Sequence, residues 1–437
     1  MLPPRVPMSP PLRIDTCVSF IVTAVTTPTP SPVHPGASLT RGQLVLFVIV
    51  LGGLVGLGPF TIDMYLPAFP VLTKDFGVPD AAIQLTLTGT TIGFALGQLL
   101  VGPLSDRIGR RIPLLAASCL HVLACLGAAA SQDVVVLGIF RVLQGVGAAG
   151  GGVVAMAMVR DLFGGRPLVR MLSRLALVTS LAPIIAPVAG SQLLRLVDWR
   201  GLFVVLAAYG IVMVILAAVL LPETSRDHAD DGRPARTMRQ RYRALFSDRI
   251  FVGVALLAGM QFGGLFAYLS SSSFLFQEVY GLDAQQFGIL FGINSVGILV
   301  GNQTAARLTR FVGPQWILAG TTAVQFLSAS AIVIAAMSGA GIVGVVIPLF
   351  FFVFSCGFGF PMVQVLALVN HGHEAGTAAS LLGALNFGLA GLISPIVGLF
   401  GIATAIPMGG VMAATAVVGI LSLWIVVRPR TVPALAD

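Results

Sequence analysis

Two charged residues lie inside long apolar runs of this sequence, and they are the first candidates for chemistry. Asp63 stands in Gly58-Pro-Phe-Thr-Ile-Asp-Met-Tyr-Leu-Pro67, and Arg141 opens Arg141-Val-Leu-Gln-Gly145. A charge in hydrocarbon is expensive, so it marks an ion or substrate path by default. A helical rise of about 1.5 Å per residue puts the two at similar depth. We expect them to face one cavity, where Asp63 exchanges a proton while Arg141 favours the ionised carboxylate when near and releases it when displaced. The alternative is that Asp63 caps a helix at the interface and Arg141 is a packing arginine bonded to carbonyls.

Other chemistries lack their residues. A Walker A loop needs a lysine after its glycines, but the only lysine, Lys74, lies between Thr73 and Asp75. The histidines at 34, 121, 228, 371 and 373 and the cysteines at 17, 119, 125 and 356 show no ligand or nucleophile spacing. His371 and His373 read as a solvated loop. We expect no cofactor, no metal, no disulfide and no catalysis. The energy source is then an ion gradient or facilitated exchange.

The elements that must hold these residues are membrane spans. Of the 437 residues 56% are hydrophobic and 10% charged, with a mean hydropathy of +0.96, whereas soluble chains are about a quarter charged. Apolar blocks fall at about 43–66, 81–103, 112–130, 134–159, 168–193, 201–221, 250–275, 285–306, 315–337, 341–366, 375–399 and 402–427. Each has about the length a helix needs to cross a bilayer, and period-2 alternation is absent, so the expected fold is an all-α integral membrane protein of twelve helices. Arginines gather in alternate connections, which places both termini in the cytoplasm. That explains the net charge of +8 without nucleic acid as a partner.

The longest polar stretch between spans divides the chain into two six-helix halves. We expect a Pro-rich disordered cytoplasmic tail at 1–40, an N-terminal bundle at 41–221, a cytoplasmic central loop at 222–249, a C-terminal bundle at 250–427 and a short cytoplasmic tail at 428–437. The apolar stretch from Cys17 to Val25 is shorter than a signal peptide requires. A faint repeat supports the division: Gly102-Pro-Leu-Ser-Asp-Arg-Ile-Gly-Arg-Arg111 follows span 2, and Gly301-Asn-Gln-Thr-Ala-Ala-Arg-Leu-Thr-Arg310 follows span 8. Duplicated halves around a midplane site are a transporter design.

In the first of these loops Gly102 and Gly109 allow close approach or a sharp turn. Asp106 can pair with an arginine, or sit at a neighbouring helix N-terminus, in one conformation only. Asp106, Arg107, Arg110 and Arg111 therefore read as a conformational latch, and the arginines also hold the loop inside. Span 4 continues through Gln144 and Gly145 along a small-residue stripe to Arg160-Asp161-Leu-Phe163. Span 5 carries Ala182-Pro-Ile-Ile-Ala-Pro187 and Gly190. Pro183 and Pro187, four apart, make it a candidate hinge.

At these residues the chain resembles the major facilitator superfamily, and within it the Bcr/CflA branch of bacterial drug:proton antiporters, over nearly all of 43–427. The loop Gly102–Arg111 and the span-4 run from Arg141 to Gly145 carry the superfamily likeness. Branch signals are Asp63-Met-Tyr-Leu-Pro67, Arg160-Asp161-Leu-Phe163, Ala182-Pro183 with Ala186-Pro187 and Gly190, Trp199-Arg200, Phe262-Gly-Gly-Leu-Phe-Ala-Tyr-Leu-Ser270 and Ala375-Gly-Thr-Ala-Ala-Ser-Leu-Leu-Gly383. In span 5, Ala186-Pro187 and Gly190-Ser191 stand where the wider antiporter motif has Gly-Pro and Gly-Gly, so antiport rests on the branch likeness. The resemblance implies proton-driven multidrug efflux across the bacterial cytoplasmic (inner) membrane, with Asp63 and Arg141 in coupling and antibiotics such as bicyclomycin or phenicols as cargo.

The residues themselves point to a mixed cavity. Tyr65, Gln261, Phe262, Phe266, Tyr268, Asn294 and Asn386, with serines 270–273, set a few amides and hydroxyls among 27 phenylalanines, the composition of a small-molecule site. No second buried acid is evident in the C-terminal half, so a neutral or weakly polar solute fits better than a multiply charged one. Partners are then the solute, protons and the bilayer, with the protein a monomer. Alternatives are a dedicated exporter or importer of one metabolite on the same fold, or a membrane-embedded enzyme or receptor, for which no constellation is found.

Overall fold

A computed structural model describes residues 40–224, 238–371 and 375–432. The N-terminal tail expected at 1–40 lies outside them but for Thr40, as do His373 and residues 225–237 of the central loop. Twelve helices are long and apolar enough to cross a membrane: Gly42–Phe76, Asp80–Ile108, Arg111–Ala129, Val134–Leu162, Pro167–Leu193, Trp199–Leu220, Arg249–Val279, Ala284–Leu308, Pro314–Met337, Gly341–Leu368, Gly376–Leu399 and Ile406–Thr431. We number these spans 1 to 12.

Helix starts are set by oxygen side chains that accept from first-turn N–H groups. Thr40 and Asp283 form capping boxes with Gln43 and Gln286. Asp133, Asp198 and Asp248 cap spans 4, 6 and 7. Span 1 departs from the expected single helix. It runs straight to Asp63, passes through a 3-10 turn at Leu66–Ala68 and resumes at Phe69–Phe76. Pro67 and Pro70 have no N–H to continue the ladder. The central loop also departs from a plain connection, since Met238–Ser247 is a helix anchored by the fully buried Leu245.

In the N-terminal half span 4 packs on spans 1, 2 and 3, span 1 on spans 5 and 6, and span 3 on span 6; in the C-terminal half span 10 packs on spans 7, 8 and 9, and span 12 on spans 7 and 9. The halves meet mainly where span 2 lies along span 11 and span 5 along span 8. The span 2–11 seam has a regular register. Gln84, Thr91 and Gln98, seven residues apart, face Gly398, Gly391 and Gly383, and a Cβ on any of these glycines would overlap the facing side chain.

Closure is concentrated at the end of the molecule opposite the arginine-rich loops. There Gln84 Nε2 donates to Ser270 O (3.2 Å), Gln277 Nε2 to Pro67 O (3.2 Å) and Gln285 Nε2 to Ser191 O (3.0 Å). Phe69 packs against Phe274 at 5.6 Å.

At the arginine-rich end the start of span 7 is tied to the end of span 10. Asp248 accepts from Ile250 N (2.8 Å), Asn370 Nδ2 (3.1 Å) and His371 Nε2 (3.0 Å). Burial pushes the Asp248 carboxyl up, but the bonds from Asn370, Ile250 N–H and His371 hold it below its ordinary value. A depressed folded value means stability present above the unfolded value of about 3.9 and lost as pH falls through the folded one. Thermal melting in detergent is therefore expected to show Asp248→Asn less stable than the parent at pH 7, with the gap narrowing below about pH 4.

Candidate functional site

The halves enclose a cavity in two connected parts. The larger, about 900 Å³, runs from Pro59, Phe94 and Phe387 to Arg160 and Gly376 at the arginine-rich end. The smaller, about 290 Å³, lies deeper and shares Gly58, Phe94, Phe262 and Phe387 with it. Its wall includes Asp63, Phe266, Tyr268, Phe291, Asn294 and Pro183.

Asp63 is delivered to this chamber by the chain break that ends the first helix of span 1. It is 5% exposed. No hydrogen bond or ion pair holds it among the described residues. Its neighbours are aromatic: Phe262 packs on Phe266, Phe360 and Phe387, and Phe387 stacks on Phe94 from the other half at 4.8 Å. Tyr268 stacks on Phe291 at 5.5 Å.

Amides punctuate this apolar lining. Asn294 Nδ2 donates to Tyr268 Oη (3.1 Å) and Gln261 Nε2 to Cys356 O (3.3 Å). The carbonyl of Cys356 can only accept, which fixes the orientation of the Gln261 amide. The amide oxygens of Asn294, Gln261 and Asn386 are buried without a hydrogen-bond partner. Buried acceptors are normally satisfied, and among the described residues no group satisfies these three. Six of the seven residues predicted to bind solute thus line the cavity.

Tyr65 is the seventh and does not line it. It is fully buried in the N-terminal half, its hydroxyl on Thr86 Oγ1 (3.0 Å) and its ring against Phe69 and Phe203. Arg141 is also fully buried and also away from the cavity. Its NH1 donates to Thr61 O (3.0 Å) and Gln144 Oε1 (2.6 Å), and its guanidinium lies 4.5 Å over the Tyr65 ring. Gln144 is itself held on Cys125 Sγ (3.0 Å). Asp63 and Arg141 therefore do not form the expected pair in this conformation. The aromatic face of Tyr65 and the carbonyl of Thr61 take the arginine instead, which is the packing arrangement weighed against it. The Nε and NH2 of Arg141 have no hydrogen-bond partner among the described residues.

The serines at 270–273 are buried in helix packing: Ser270 Oγ bonds Ser394 O across spans, and Ser271 and Ser272 bond carbonyls of their own helix. Span 5 is an unbroken helix through Pro183 and Pro187. Gly190 brings it against the backbone of Met64, beside Asp63.

The loop after span 2 is knotted to its own half. Arg110 bonds Asp106, Ser105 Oγ (2.9 Å) and Asp161 Oδ2 (2.8 Å), which ties span 2 to span 4. Gly109 turns with φ 93°, a value only glycine adopts readily. Arg111 reaches Ala218 O (2.6 Å), while Arg107 is exposed. The sequence reading missed Glu223, whose carboxylate accepts from the N–H groups of Arg110 (2.7 Å) and Arg111 (3.1 Å) and caps span 3. Its signal was an acid directly after span 6, at the same end as the loop. Gly102 faces Ser380 of span 11, and Arg160 borders the cavity mouth beside Gly376.

Two duplicate-sized helical halves, closed at one end over a cavity with a mostly apolar wall and a few polar groups, form the architecture of a secondary transporter rather than an enzyme. Residues 51–395 match the Major Facilitator Superfamily, and the chain belongs to that superfamily. It is 36% identical over 397 residues to an uncharacterized MFS-type transporter, YdgK, of Bacillus subtilis (strain 168), covering 90% of this chain and 98% of the relative. It is 30% identical to a bicyclomycin resistance protein homolog of Haemophilus influenzae, over 87% and 95% of the two chains. It is 27% identical to the multidrug resistance protein MdtL of Klebsiella pneumoniae (strain 342), over 90% and 97%. These matches bear out the Bcr/CflA resemblance. Among solved structures, the D-xylose-proton symporter superposes with a TM-score of 0.70 at 17% identity, over 91% of this chain and all of that one. That likeness shows the fold alone.

Proposed function

We propose that the protein exports small lipophilic or weakly polar organic compounds in exchange for protons. The observation that carries this reading is Asp63, the one carboxyl group lining the cavity among the described residues, held by no counter-ion in an aromatic chamber. A carboxyl so placed can load a proton from one side and surrender it to the other. The stacked rings suit a ring-bearing solute, and the unpartnered amide oxygens of Asn294, Gln261 and Asn386 suit its N–H or O–H groups. The names of the bicyclomycin and multidrug relatives agree with this cargo class, in which we place phenicols and bicyclomycin.

By the positive-inside rule the arginine-rich end faces the cytoplasm of a bacterium, where both termini then lie. The cavity runs toward that end, so this conformation receives solute from inside, and alternating access requires the opposite end to open next. The experiment is uptake of labelled chloramphenicol into liposomes with and without an imposed pH gradient. We expect gradient-dependent accumulation that a protonophore collapses. Uptake indifferent to the gradient, by protein shown to be folded and to bind the drug, overturns proton coupling.

A further inference from the structure

Taken together with the helix Met238–Ser247 before it and the turn after it, the C-terminal half carries eight arginines at its arginine-rich end, at 239, 241, 243, 249, 307, 310, 428 and 430. Among the described residues of that half the only acid there is Asp248, already engaged by Asn370 and His371. Retaining a loop on one side of a membrane needs a few positive charges. It does not need them arranged, and here they are arranged.

Trp316, in the first turn of span 9, and Trp424, near the end of span 12, meet edge to face at 6.3 Å, each nearly half exposed. Indoles at this level of a span set an apolar body against acyl chains and an N–H toward headgroups. Trp424 itself lies in a π turn over Ser422–Val427 near the end of span 12, closed by Arg428 N donating to Leu423 O (2.8 Å). Arg428 itself has φ 58°, the one non-glycine with positive φ among the described residues. A left-handed arginine is a strained backbone that persists where the surroundings demand it, and such strain concentrates at ligand contacts. The same turn places Arg430 two residues on, also exposed. Arg249 joins from span 7, its NH2 donating to Thr431 Oγ1 (2.8 Å). Arg428 Nε donates to Ile425 O (3.1 Å), and among the described residues none of the three guanidiniums has a carboxylate partner; they surround one short turn, directly beyond an exposed pair of indoles.

We propose that the adjoining ends of spans 7, 9 and 12 bind the headgroup of an anionic phospholipid. Arg249, Arg428 and Arg430 take the phosphodiester, for which the planar guanidinium fork is matched, and Trp316 and Trp424 lie along the upper acyl chains. The ligand is a membrane lipid rather than a soluble phosphate because the indoles face the bilayer and the arginines its surface. The site is independent of the transport reading.

The test uses intrinsic fluorescence. The chain has three tryptophans, and Trp199 is buried at the other end of the molecule, so quenching by lipid reports on Trp316 and Trp424. Purified full-length protein is reconstituted into phosphatidylcholine vesicles containing 10 mol% (about one lipid in ten) of brominated phosphatidylglycerol or brominated phosphatidylcholine. Each arginine near an anionic surface adds about fivefold in affinity, so the anionic quencher is expected to exceed the neutral one several-fold. The excess disappears in the Arg249→Gln, Arg428→Gln, Arg430→Gln triple variant and survives when all three are Lys. Equal quenching by the two lipids overturns the site. An excess that persists in the Gln variant overturns its assignment to these arginines, and an excess displaced by soluble glycerol 3-phosphate overturns the lipid as ligand.

Discussion

Asp63→Asn is expected to abolish transport driven by a pH gradient while leaving solute exchange in the absence of a gradient intact. Asparagine has nearly the shape of aspartic acid, and no hydrogen bond or ion pair of Asp63 among the described residues is lost in the exchange. What disappears is the capacity to change charge. If Asp63 carries the coupling proton, the loss of gradient-driven rate is on the order of 100-fold or more, the scale on which a positioned proton-transfer group acts. Counterflow of labelled against unlabelled drug in liposomes checks the retained half of the prediction. Full gradient-driven transport by the variant removes Asp63 from coupling. Loss of both activities, with binding also lost, assigns it to the solute site instead.

The second large effect concerns assembly of the N-terminal half. Gly145, in the middle of span 4, lies so close to span 2 that a Cβ would press on the carbonyl of Thr90 and the backbone of Gly93 and Phe94. Gly93 is in turn pressed against the backbone of Val142. Backbone cannot move aside as a side chain does, and overpacking a tight interface costs about 1 to 3 kcal/mol even where side chains give way. Gly145→Val is expected to exceed that range, at roughly 3 kcal/mol or more. It should appear as loss of the folded peak in size-exclusion chromatography or a steep fall in melting temperature. Gly152→Ala is the control, since a Cβ there meets nothing within 4 Å.

The sequence exposed the spans because bilayer thickness imposes one length on every helix, and it exposed the loop Gly102–Arg111 because its charges sit beside apolar blocks. It exposed Asp63 for the same reason. The partner of Arg141 was not legible. Depth along a helix says nothing about rotation, and the Tyr65 ring and Thr61 carbonyl that hold the arginine are common residues without a motif. Tyr65 was counted among the polar and aromatic residues of the solute site, but the break in span 1 after Asp63 turns it into the core. Glu223 was hidden by distance, since the N–H groups it accepts from lie more than a hundred residues earlier. The rungs at 84, 91 and 98, seven apart, and the glycines at 383, 391 and 398, eight and seven apart, could have been read as two facing helix stripes. That signal was present and unused.

Those rows also bear on how the protein is made. A ribosome releases spans 1 to 6 long before span 11 exists, so Gln84, Thr91 and Gln98 first meet the bilayer as a polar stripe with nothing over it. Until the glycine face of span 11 arrives, the nascent half must keep that stripe against another part of itself or against the insertion machinery. The seam thus makes the order of synthesis matter: a chain truncated before residue 383 lacks the cover for its own first half, and its expected fate is retention or proteolysis rather than a stable six-span protein.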